Sequence, residues 1–80
     1  MKKDNLILEK TCEFSLSFIE LYKELNFKKE YILSKQLLSS GTSVGANVHE
    51  ATAAQSKKDF THKMSIASKE ARETKYWLKL

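Results

Sequence analysis

The side chains of this 80-residue chain that could do chemistry are few, and their spacing is poor for catalysis. His49-Glu50 starts like the helical zinc-protease motif, but Ala53 stands where the second histidine is required. Asp59 and His62 share a helical face, yet one carboxylate and one imidazole are too few donors for a metal site. Thr42 and Ser43 have no motif that would make them nucleophiles. Gly41 and Gly45 neither follow a strand nor precede Gly-Lys-Ser/Thr, so they do not read as a phosphate loop. Cys12 is the single cysteine, which rules out a disulfide within the chain, and no Cys/His cluster has zinc-ligand spacing. The sequence therefore reads as non-enzymatic, with no cofactor and no metal.

What remains is charge. Fourteen basic and ten acidic residues leave a net +4. The excess is uneven, +1 over residues 1–40 and +3 over residues 41–80. Lys57, Lys58, Lys63, Lys69, Arg72, Lys75 and Lys79 are the candidate contacts to nucleic acid. Lys58, Lys69, Arg72 and Lys79 recur near helical spacing, but Asp59, Glu70 and Glu73 interleave with them along the chain. The other reading of these cations is an ordinary solvated face. No stretch approaches the ~20 apolar residues of a membrane span. Glu9, Lys10 and Glu13 interrupt any signal-peptide core after Met1-Lys2-Lys3. The expected setting is the cytoplasm, with Cys12 reduced as a small core hydrophobe.

Three helices must position these residues. In the first, about 4–25, Ile7, Leu8, Thr11, Cys12, Ser15, Phe18, Ile19, Tyr22 and Leu25 recur at helical steps, with Asp4 or Asn5 as the cap. In the second, about 29–53, Leu33, Leu37, Gly41, Val44, Val48 and Ala51 keep the same period through both glycines. Interior glycine costs about 1 kcal/mol relative to alanine. Two of them on one face therefore imply a neighbouring helix packed close. In the third, about 57–80, Ser56 and Asp59 read as a capping box, and Phe60, Met64, Ala67, Ala71, Thr74 and Leu78 form the apolar stripe. Lys69 and Glu73 are spaced for an ion pair one helical turn apart. The expected fold class is all-α, an antiparallel up-down bundle in one domain spanning residues 1–80.

Beside the apolar stripe of the second helix runs a small polar one, Ser40, Ser43, Asn47, Glu50 and Ala54. It reads either as a solvent face or as a hydrogen-bonding seam that fixes register against another helix. In the seam reading, Ser40, Gly41, Ser43, Gly45, Asn47 and Glu50 meet Glu70 and Trp77 of the third helix or a neighbouring copy. Lys69, Glu70 or Arg72 would then partner Asn47 and Glu50. A rival reading breaks the second helix at Gly41-Thr42 to make a DNA-reading helix-turn-helix, although its recognition helix, Val44 to Glu50, would lack Arg and Lys.

The run from Gln36 to Ala51, QLLSSGTSVGANVHEA, resembles the signature of bacterial proteins encoded in intervening sequences of 23S ribosomal RNA genes. So do Asp59-Phe60, Lys63, the run Ile66 to Ala71 and the run Glu73 to Leu78. The resemblance spans about Phe14 to Leu80 and implies a cytoplasmic four-helix bundle that assembles as a homopentamer. A relative of that family, the accessory variability protein of diversity-generating retroelements, is a basic barrel. It binds nucleic acid and a reverse transcriptase, so RNA, DNA and a reverse-transcriptase-like protein are the partners implied here. The resemblance also implies a fourth helix after Tyr76-Trp77-Leu78. The chain instead stops at Leu80 without a capping signal, as if cut inside or just after a helix.

Overall fold

The computed structural model describes residues 2–80, with side-chain surroundings from Leu6 onward. It contains α1 (Lys2–Phe27), α2 (Tyr31–Thr52) and α3 (Lys57–Leu78) and, among the described residues, no strand. Asp4 and Asn5 lie inside α1, so the cap expected at either of them is not one. At the other end Lys29 N–H donates to Asn26 O at 3.0 Å and Glu30 N–H to Leu25 O at 2.9 Å. This is the Schellman closure, with Lys29 in the left-handed position at φ 64° that glycine usually takes. Ser56 caps α3 as its sequence foretells, its Oγ accepting the Asp59 N–H at 3.1 Å.

Helix α2 is unbroken through Gly41 and Thr42, which removes the turn that a helix-turn-helix needs. The glycines are explained by α1. A methyl group on Gly41 would meet the Phe18 ring, and one on Gly45 would lie 2.7 Å from Ser15 Oγ and 3.2 Å from the Thr11 carbonyl oxygen. The same end is tied by Ser34 Oγ–H donating to Asn26 Oδ1 at 2.7 Å, with Ser34 fully buried. On its other side α2 packs antiparallel to α3. Thr74 Oγ1 donates to Ser40 Oγ at 2.9 Å toward one end, and Lys63 Nζ pairs with Glu50 Oε2 at 2.7 Å toward the other.

Among the described residues, helices α1 and α3 both pack on α2 and not on each other. The Cα envelope is accordingly a slab of 43 × 21 × 16 Å. Phe18, Leu37, Val48, Ala51 and Ala67 are its buried apolar residues. Each outer helix has one neighbour, and one neighbour covers only a narrow line of side chains. Several residues expected in the core are exposed for that reason, namely Ile7 and Cys12 on α1 and Phe60, Ala71 and Leu78 on α3. Phe14 of α1 is exposed as well, so both outer helices carry apolar side chains that α2 does not cover.

Candidate nucleic-acid interface

A helix turns about 100° per residue, so linear order along α3 hides where its charges point. On the helical projection Lys57, Lys58, Lys69, Arg72, Lys75 and Lys79 fall within an arc of about 120°. All six are exposed, and among the described residues none is ion-paired. The arc contains no acidic residue. Asp59, Glu70 and Glu73 collect instead on the flank that also carries Lys63. Thr61, Ser65 and Ser68 place exposed hydroxyl groups among the cations. The strip is about 33 Å long at 1.5 Å per residue.

The acidic residues that interleave in sequence are thus separated in space. Glu73 is half-buried, and its Oε1 accepts Trp77 Nε1–H at 3.3 Å. It does not take the ion pair with Lys69 that their spacing offers. Glu70 is half-buried, and its backbone carbonyl oxygen lies 2.7 Å from Thr74 Oγ1, where it shares that hydroxyl with Ser40. Lys63 is a correction to the basic set, because its ammonium is held by Glu50 and it lies on the α2 side of α3.

The polar stripe of α2 divides. Ser40 and Glu50 reach α3, Ser40 through Thr74 and Glu50 through Lys63, so within the chain Lys69, Glu70 and Arg72 are not the partners. Asn47 instead donates Nδ2–H within its own helix, to Ser43 O at 2.9 Å and Ser43 Oγ at 3.1 Å. Gly41 and Gly45 face α1 and do not belong to the stripe. Trp77 is half-buried and stands edge-on to Tyr76, the ring centroids 5.1 Å apart. Tyr76 lies within the basic arc, flanked by Arg72 one turn before and Lys79 one turn after, and sequence reasoning passed over it. Projecting every α3 residue at helical pitch, rather than only the cations, would have revealed both the segregation and the tyrosine.

Among the described residues no three His, Cys, Asp or Glu side chains gather into a metal-binding group. Among the same residues no helix is long and apolar enough to cross a membrane.

The family described as 23S rRNA-intervening sequence protein matches residues 3–80. A solved structure of a protein of unknown function from the S23 ribosomal protein family of Bacteroides thetaiotaomicron is 54% identical and superposes with a TM-score of 0.92. The match covers 96% of this chain and 70% of that one. Comparison with curated proteins finds no match. A profile match over nearly the whole chain, with a solved relative of the same helical arrangement, makes this chain a member of the 23S rRNA-intervening sequence protein family.

Proposed function

We propose that this protein is a non-enzymatic, self-associating helical bundle of the cytoplasm that binds RNA or DNA through the outer face of α3. The observation that carries the reading is the segregation of charge on that helix. Six exposed cations share one arc that holds no acidic residue and no ion pair, while the three acidic residues lie together on another flank. Surface lysines kept only for solubility are usually interspersed with both signs. An unneutralised strip attracts a polyanion and releases its counterions on binding. Self-association multiplies the effect, since five copies at +4 would carry about +20.

The test is a binding titration against structured RNA and duplex DNA across salt, with Lys58→Glu/Arg72→Glu/Lys79→Glu as the comparison. Each lost phosphate contact should reduce the slope of log affinity against log salt by about 1, so the triple variant should lose a slope of about 3. All three sites are exposed, so the fold should survive, as circular dichroism would verify. No binding at low salt, or binding without a salt slope, removes the proposal. The exposed apolar side chains of both outer helices, Ile7 and Phe14 on α1 and Phe60 and Leu78 on α3, favour a second reading, a protein-interaction scaffold without a nucleic-acid role. Light scattering after size exclusion tests self-association, and a clean monomer would defeat that part of the reading.

A further inference from the structure

We infer that the basic strip of α3 takes unpaired rather than duplex nucleic acid, with Tyr76 as the platform on which a base stacks. The inference rests on the nucleic-acid reading above and concerns the same face. Tyr76 is 56% exposed and sits inside the basic arc, Arg72 four residues before it and Lys79 three after. Those positions are one helical turn away on either side, so a phosphate held by either cation leaves its base within reach of the ring.

The ring is also preorganised. Trp77 packs edge-on against Tyr76 at an interplanar angle of 70°, and the indole is itself anchored by its hydrogen bond to Glu73. A lone exposed tyrosine loses rotamer freedom when a base stacks on it, and one already packed against a neighbouring ring loses less. Stacking on an aromatic face requires a base whose own face is free. A single strand presents such bases and a closed duplex does not. The chemistry of the strip is therefore cations for the backbone and one fixed aromatic face for a base.

The test uses a fluorescein-labelled, mixed-sequence single-stranded RNA and the same strand annealed to its complement, titrated with the full chain and with Tyr76→Ala and Tyr76→Phe. Replacing Tyr76 by alanine should weaken single-strand binding by about tenfold and leave duplex binding unchanged. Phenylalanine keeps the aromatic face and should restore the single-strand affinity. Binding of the single strand should also change the emission of Trp77, the only tryptophan. If both nucleic acids bind with a salt slope and Tyr76→Ala weakens neither, or both equally, the stacking inference is overturned while the phosphate reading stands. If neither binds, the phosphate reading falls and takes this inference with it.

Discussion

Replacing Gly41 by alanine should destabilise the bundle even though alanine is the better helix former. Carbon atoms rest comfortably at about 3.5–4.0 Å. The added methyl would stand 2.7 and 2.8 Å from two ring carbons of Phe18, with the ring carbon Cγ closer still, so it needs roughly 1 Å of relief. The ring cannot supply it freely. Phe18 is 6% exposed and packs edge-on to Phe14 with centroids 4.9 Å apart. Overpacking of a core contact destabilises by about 1–3 kcal/mol, and a braced ring belongs toward the upper end. The gain in helix propensity offsets about 1 kcal/mol. The net loss should be about 1–2 kcal/mol, which in a domain of this size lowers the melting temperature by roughly 5–15 °C. Thermal unfolding followed by circular dichroism at fixed protein concentration measures it, because self-association would shift apparent stability with concentration. The Phe18→Ala background isolates the cause, because alanine lacks all three carbon atoms that the added methyl would meet. With the ring gone, Gly41→Ala should be neutral or stabilising by up to about 1 kcal/mol. An equal loss in both backgrounds, or no loss in the parent chain, would refute close packing of Phe18 on Gly41.

Three further perturbations read other parts of the slab. Thr74→Val removes the buried hydroxyl that joins α3 to Ser40, and should cost about 1 kcal/mol in a urea melt. Combined with Ser40→Ala, that loss should prove non-additive, since both changes break the same bond. Lys29→Gly should stabilise by up to about 1 kcal/mol in the same assay, because glycine takes the left-handed position without a Cβ clash. Glu50→Gln should cost less than about 1 kcal/mol and the deficit should shrink in high salt, since Glu50 and Lys63 both keep solvent contact, at side-chain exposures of 58% and 37%.

Some of this was written in local order along the chain. The helical period carried through Gly41 and Gly45 determined that α2 is one helix, because burial on a helix face repeats every three to four residues whatever lies opposite. The same logic placed Leu37, Val48, Ala51 and Ala67 in the core, and the Ser56 cap was readable because its hydrogen bond is local. The helix ends differ from expectation by two residues or fewer, as at Tyr31, where the Schellman closure at Lys29 delays α2.

What tertiary structure decided is which neighbour each face meets. Periodicity marks Phe60, Ala71 and Leu78 as apolar but carries no information on how many helices cover them, and α3 has only α2. Spacing alone offered Lys69 to Glu73 and Arg72 to the polar stripe. The antiparallel register instead gave Glu50 to Lys63 and Ser40 to Thr74, and the Trp77 indole drew Glu73 aside. The candidate interface divides the same way. The sequence determines that the basic residues exist and recur. Only the docked helix shows that Lys63 turns to Glu50 of α2 and Glu73 to the Trp77 indole, while the six other cations of α3 stay exposed on one arc with Tyr76.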